Sequence, residues 1–334
     1  RIVGGNPPTV MQFNTGAQFD EIVAAGFLRD VDAVAEAEGW RGVLPEAIID
    51  ATTRDGSFYA VPVNIHGQNW LWYSSAVFAD AGLEPPADFA GLVEQAPALE
   101  AAGVIPLAHG GQSWQDHLLF DAVLVAELGR EPFEAIYAAR DKDVVRGDGF
   151  RAAAETFGAL RSLVDAGSPG RNWNDATSLV ITGQAATQVM GDWAKGEFIA
   201  AGLTAGKEYG CTVLPGGYVM GGDVFVFPVV DDPAKEEAQA KMAEIMMAPD
   251  TQIAFNMKKG SVPVRLDLDV SGMDVCAQTG KAALQAPDQQ VPSINFIASP
   301  DLVGATRDVI TQYWKSPEMS VDDFVERFIG ALQA

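Results

Sequence analysis

Gly221-Gly-Asp-Val-Phe-Val-Phe-Pro-Val-Val-Asp-Asp-Pro233 is the stretch on which the fold reading turns. Its core, Val224 to Val230, is the longest apolar run in the chain and far short of the ~18 residues that suggest a membrane span. With Pro228 inside it, the run reads as a buried strand or strand end. Asp232 then stands as an N-cap, with Pro233 at the first helical position. The pattern predicts a helix to about Ala248, before Pro249. Strand followed by capped helix is the unit of α/β layering.

The same alternation extends in both directions. Asp250 is placed as the cap of a further helix ending at Gly260. Upstream, Phe150, Ala153, Ala154, Phe157, Leu160, Leu163 and Val164 share one 3.6-residue face, which predicts a helix from about Phe150 to Ala166 with Gly167 as its stop. Near the end, Ser320 with Asp323 three residues later resembles a capping box, and Phe324, Phe328 and Leu332 mark an apolar face. Strands are expected near Tyr59 to Val63, Val104 to Leu107, Cys211 to Leu214 and Val224 to Phe227. No repeat, low-complexity tract or Pro/Gly/Ser linker interrupts the chain, so two lobes would be joined by short crossings.

The 334 residues are enough for roughly two domains or one large α/β unit, and 48% apolar content supports a packed core. Forty-five acidic against 22 basic residues give a net charge of −23, which argues against nucleic acid and against anionic lipid as partners. No Lys/Arg-headed signal segment is present, and the start at Arg1 without Met reads as a processed or truncated product.

Most signatures of enzyme chemistry are missing. Gly202-Leu-Thr-Ala-Gly206-Lys207-Glu208 has neither the spacing nor the hydroxyl of a phosphate-binding loop, and Gly111-Gln-Ser-Trp114 fails as a nucleophile elbow because its second Gly is missing, Gln115 standing there. His66, His109 and His117 have no metal-ligand spacing, and nothing singles out a carboxylate pair. Cys211 and Cys276, 65 residues apart, form neither a metal pair nor a redox motif. Two buried thiols and a single disulfide both fit that spacing. The tryptophans say more. Trp114, Trp173 and Trp193 follow or sit among Gly, Asn, Asp, Gln and Lys in Gly110-Gly-Gln-Ser-Trp114, Arg171-Asn-Trp-Asn-Asp175 and Met190-Gly-Asp-Trp-Ala-Lys195. An aromatic face flanked by planar polar groups suits a sugar, although such rings also plug cores beneath loops.

Several strings, in order along nearly the whole chain, resemble the family 1 extracellular solute-binding proteins of ABC importers, and within them the glucose/mannose (aldose) binders. These are Gly4-Gly-Asn-Pro-Pro-Thr9, Gly56-Ser-Phe-Tyr-Ala-Val-Pro-Val-Asn-Ile-His66, Asn69-Trp-Leu-Trp-Tyr73, Gly183-Gln-Ala-Ala186 and Val189-Met-Gly-Asp-Trp193. Gly222-Asp223, Lys259-Gly-Ser-Val-Pro-Val-Arg265 and Asp274-Val-Cys-Ala-Gln278 complete the set.

The resemblance implies an α/β periplasmic-binding-protein fold of type II character, two lobes joined by a hinge with the ligand cleft between them. Residues 1–65 plus 224–268 would form one lobe and 66–223 plus 269–334 the other, with crossings near Asn64–His66, Gly221–Val224 and Leu266–Val270. The family's N-terminal strand–helix–strand unit has no counterpart in the chain. Carried over by motif, Gln12 and Asn14 would donate to sugar hydroxyls, His66 would touch the sugar, Trp173 and Trp193 would wall the ring, Asp223 would accept from two hydroxyls and Lys259 would donate. Asn14 and Asn295 stand where relatives often carry His. The family's disulfide falls on Cys211 and Cys276. The implied function is periplasmic capture of an aldohexose by a monomer that docks on an ABC permease, with no cofactor and no metal. The rivals are a receptor for a disaccharide or other polyol, a glycoside hydrolase using cleft carboxylates, and a receptor for an organic acid. The last needs an arginine clamp, and the motif positions supply Lys259 but no Arg.

Overall fold

In the computed structural model, which describes residues 4–334, the deciding stretch becomes the strand Asp223–Val226 and the helix Pro233–Met247, capped by Asp232 accepting from Ala234 N at 3.0 Å. The start at Arg1 lies outside the described residues. Along Asp223–Val226 burial alternates: Val224 and Val226 enter a small core with Phe19, Leu28 and Ala60, while Asp223 and Phe225 face the other side. This strand is the centre of a three-stranded sheet, flanked by Met11–Asn14 and Ala60–Pro62, both antiparallel to it. Register pairs Asn14 with Asp223 and Gln12 with Phe225. Period-2 alternation therefore puts Gln12, Asn14 and Asp223 on one face and Met11 and Phe13 on the core side.

A four-stranded mixed sheet, in the order Ile105–Ala108, Ala185–Met190, Trp70–Ser74, Tyr209–Val213, anchors the larger lobe. Ala185–Met190 is buried along its whole length, which fits a central strand covered on both faces. Helices Ser113–Leu128, Asp148–Leu160, Pro300–Lys315 and Val321–Ala331 build the adjoining core, where Phe120 meets Phe150, Phe157, Phe324 and Phe328 at centroid distances of 5.2–6.0 Å. Each such buried ring contributes about 1.5–3 kcal/mol of apolar burial, with edge-to-face geometry adding to it.

A second three-stranded sheet is built from Gln290–Pro292 parallel to Tyr218–Gly221, which is antiparallel to His66–Gly67, and a two-stranded ribbon pairs Thr53–Arg54 with Ser57–Phe58. The chain passes from the first three-stranded sheet to the second through Val63–Ile65, and back through Gly222 alone. Neither Gly221 nor Gly222 has positive φ; Gly222 is hemmed in by backbone, whereas Gly221 meets only the movable end of the Gln68 side chain. A Cβ on Gly221 would lie 2.2 Å from Gln68 Nε2, and one on Gly222 2.8 Å from Asn64 O and from Thr15 Oγ1.

All four expected strands form, each within two residues of its expected position. Eight more among the described residues were missed: Met11–Asn14, Thr53–Arg54, Ser57–Phe58, His66–Gly67, Trp70–Ser74, Ala185–Met190, Tyr218–Gly221 and Gln290–Pro292. Two helix ends differ from expectation. The helix Asp148–Leu160 tightens into a 3-10 turn at Arg161–Leu163 well before Gly167, because Asp165 turns the chain by bonding Gly167 N and pairing with Arg171. Asp250 is not a cap; Ala248 holds that place, Pro249 starts the helix Pro249–Lys259, and Asp250 sits in its first turn. Its end at left-handed Gly260 and the Ser320 cap of the last helix, which accepts from Asp323 N at 3.1 Å, are as expected.

Cys211 and Cys276 form a disulfide that ties the edge strand Tyr209–Val213 to the helix Val275–Leu284 across 65 residues of chain. Loop closure of that length gives roughly 4 kcal/mol in the chain-entropy account. Denatured, unreduced protein should show no free thiol, and reduction should lower the unfolding free energy by about 2–4 kcal/mol in denaturant titrations. An unchanged midpoint after verified reduction would deny the bridge a stabilising role.

Candidate functional site

The sheet crossings open onto a cleft of about 410 Å³, inside the range typical of small-molecule sites. Asn14, His66, Trp173, Trp193, Asp223, Lys259 and Asn295 all line it, although they come from seven separate parts of the chain. Gln12 stands behind them and donates to Asp223 Oδ1 at 2.8 Å. Both walls touch at the rim: a Cβ on Gly16 would fall 2.1 Å from the carbonyl oxygen of Asn295.

Asp223 is the most heavily bonded of these groups. Its Oδ2 accepts from Asn64 Nδ2 at 3.0 Å, lies 3.2 Å from His66 Nε2 and 3.4 Å from Lys259 Nζ, and its backbone N–H donates to Asn64 Oδ1 at 2.7 Å. Burial works against the charge of this carboxylate, but His66, Asn64 and Lys259 hold it well below the usual carboxylate range. His66 is engaged at both ring nitrogens: Nδ1 bonds Asp192, whose other oxygen accepts from Gly67 N at 3.0 Å. Burial disfavours its charge, yet Asp192 and Asp223 overcome this and raise the imidazole to about 9. At neutral pH the pair of aspartates therefore encloses an imidazolium. With both nitrogens occupied and 5% exposure, His66 positions the carboxylate instead of presenting a free edge to the cleft.

The aromatic wall is set by local backbone. Trp193 precedes the helix Ala194–Ala200, and its ring lies over Gly191, where a Cβ would come within 2.2 Å of the ring. It meets His66 edge-on at 5.0 Å and Trp114 at 6.2 Å. Trp173 begins the helix Trp173–Ile181, whose N-terminus is tied by Asn172 N donating to Asp175 Oδ2 at 3.2 Å. By contrast Trp40, Trp70 and Trp72 are wholly buried, whereas Trp114, Trp173 and Trp193 are partly buried, packing against the core while also lining the cleft.

Sequence reasoning missed Gln68, Trp114, His117, Asp121 and Arg307 as cleft residues. Trp114 was visible as a turn tryptophan, and His117 and Asp121 share a face at i,i+4 on Ser113–Leu128; Arg307, on Pro300–Lys315, carries no local signal. Tyr137 donates to Asp121 Oδ1 at 2.7 Å and lies 3.5 Å from His117 Nε2. Burial pushes Asp121 up to about 8, against opposing effects of Tyr137 and Arg307. Burial, reinforced by Arg307, brings His117 down to about 3. Two further cleft groups, Thr15 Oγ1 and Ser293 Oγ, are buried without a partner among the described residues. The cleft thus presents ring faces beside a set of fixed donors and acceptors, a combination that grips a flat ligand by its faces and reads its polar edge.

Two α/β lobes about such a cleft make this a periplasmic-binding-protein fold. The protein belongs to the bacterial extracellular solute-binding protein family, whose profile matches residues 1–243. It is 34% identical to a "probable sugar-binding periplasmic protein" of Brucella suis biovar 1, over 100% of this chain and 80% of the relative. A protein of the same description from Mesorhizobium japonicum is also 34% identical, over 99% of this chain and 81% of the relative. Among solved structures, the bacterial solute receptor AcbH, described as exclusive for β-D-galactopyranose, superposes with a TM-score of 0.85 at 18% identity, covering 99% of this chain and 85% of that one. At that identity the likeness is one of fold.

A folded-state value near 9 against 6.5 unfolded means His66 stabilises the fold fully below about pH 6.5, and that this contribution is lost as pH rises through about 9. The ring nitrogens of His66 should still report imidazolium at pH 7.5 in NMR. His66→Gln should flatten the fall in stability between those pH values relative to the parent; a ring already neutral at pH 7 would remove the basis of this assignment.

Proposed function

We propose that the protein is a periplasmic receptor of an ABC import system that captures a monosaccharide of the aldohexose type between its lobes and presents it to the permease. The observation that carries this reading is the convergence of Trp173 and Trp193 with the bonded Asp223–Lys259 pair at the point where the chain crosses between sheets. The relatives named for sugar binding support it. In this reading the indoles pack on the C–H faces of the pyranose, Asp223 accepts from hydroxyls, and Lys259, Asn14 and Asn295 donate. Isomers that leave these buried groups unpaired are rejected. Gln12 and His66 act through Asp223, holding its carboxylate in place.

Lobe boundaries at 1–65 plus 224–268 and 66–223 plus 269–334 are part of the proposal. They are supported by the passages at Val63–Ile65 and Gly222, and by Leu266 N donating to Val43 O at 2.7 Å on one side while Lys195 pairs with Asp274 at 2.8 Å on the other. Closure then requires the Gly16–Asn295 contact to form, so the sugar-free protein should be more extended in solution than this conformation. Saturating ligand should reduce the radius of gyration in small-angle scattering, whereas an identical profile with and without ligand would count against hinge closure.

One observation favours a hydrolase: Asp121 and Asp223 line the same cleft with opposite pKa shifts, as an acid and a base would. Against it, Asp223 is already bonded by Gln12, Asn64, His66 and Lys259, an arrangement that holds an acceptor still and suppresses its basicity. Aryl glycosides should therefore bind without turnover.

Trp193→Ala should weaken hexose binding by ~2 kcal/mol or more, roughly thirtyfold, as central aromatic anchors do. Asp223→Asn keeps shape but turns one acceptor into a donor, so it should weaken binding and reorder glucose, galactose and mannose. Isothermal titration decides between this and a structural role: folded variants that bind every sugar like the parent would show that these residues are not the site.

A further inference from the structure

Arg307 is the one cleft cation that forms no salt bridge among the described residues. Lys259 pairs with Asp223, and His66 lies between Asp192 and Asp223. Arg307 lines the same cleft, forms no salt bridge, and has its Nε buried with no hydrogen-bond partner. Its neighbours are no substitute: Asp121, 5% exposed, is bonded to Tyr137, and His117 is 3% exposed and faces the same tyrosine. An unpaired guanidinium is tolerable while water reaches it, but lobe closure over a ligand removes that water, and a desolvated lone charge is strongly unfavourable. A neutral hexose leaves the charge uncompensated.

Resting on the receptor reading above, we propose that the ligand is a sugar acid, a hexuronate whose single carboxylate is held by Arg307 beside His117 and Asp121 in the cleft. The planar guanidinium matches a carboxylate with two parallel N–H donors. Burial keeps Asp121 largely protonated at neutral pH, so it adds a neutral donor there and no repulsion. The same pocket disfavours a doubly charged phosphate, because only one of its cations is free of a salt bridge among the described residues. The arginine clamp that the motif positions lack is thus supplied by a residue outside every recognised string.

The test is isothermal titration at pH 7 of matched pairs, glucose with glucuronate and galactose with galacturonate, against the parent, Arg307→Gln and Arg307→Lys, each checked for folding by its melting transition. For at least one pair the parent should bind the acid about tenfold or more tighter than the hexose. Arg307→Gln should bring that ratio near one, and Arg307→Lys, which keeps the charge but loses the fork, should fall between them. A parent that prefers the neutral hexoses, or a ratio unchanged in folded Arg307→Gln, would overturn the sugar-acid assignment and leave the sugar-receptor reading standing. Failure of every sugar and sugar acid to bind the parent would overturn both.

Discussion

A single carboxylate, that of Asp223, joins the parts of the chain that must come together for this cleft to exist. Gln12, Asn64, His66 and Lys259 all reach it, from an edge strand, two points on one crossing and a helix end. None of these groups is near another in sequence except Asn64 and His66. Each bond is worth more for being made to a charged acceptor in a dry place, and removal of the acceptor would strand several donors at once. The position at the beginning of its strand, just past the tightly packed Gly222, lets the same carboxylate serve both the sheet crossing and the cleft wall.

Charge inside a protein is expensive, and the site shows how the expense is limited. His66 carries a proton because Asp192 and Asp223 flank it, and Asp223 stays ionised because His66, Asn64 and Lys259 surround it. The result is a locally balanced network that fixes geometry more than it adds stability. Asp121 and His117 escape the same penalty by a different route, each shifted towards its neutral form by burial. One cleft therefore holds a bonded, ionised Asp223 and, beside the Arg307 guanidinium, a buried His117 and Asp121 that are both shifted towards neutrality.

Local sequence determined a good deal of this protein. Period-2 alternation in Met11–Asn14 and Asp223–Val226 set which side chains share a face, and Asp232, Pro233, Gly260 and Ser320 marked helix ends because capping is decided within one turn. Where a helix end depended on a neighbour, as with Asp165 turning back to Arg171, the local signal at Gly167 misled. The strand Ala185–Met190 was equally hard to read, since a strand buried on both faces loses its alternation. Family resemblance brought seven cleft residues into view through their motifs, with Gln12 behind them. What only tertiary structure decided is pairing at long range: the protonation of His66, the depressed Asp223, and the arrival of Arg307 in the same cleft as Lys259 from a helix whose sequence gives no hint of it. These properties arise from burial and from charges 36 to 157 residues away along the chain, and sequence spacing carries no measure of either.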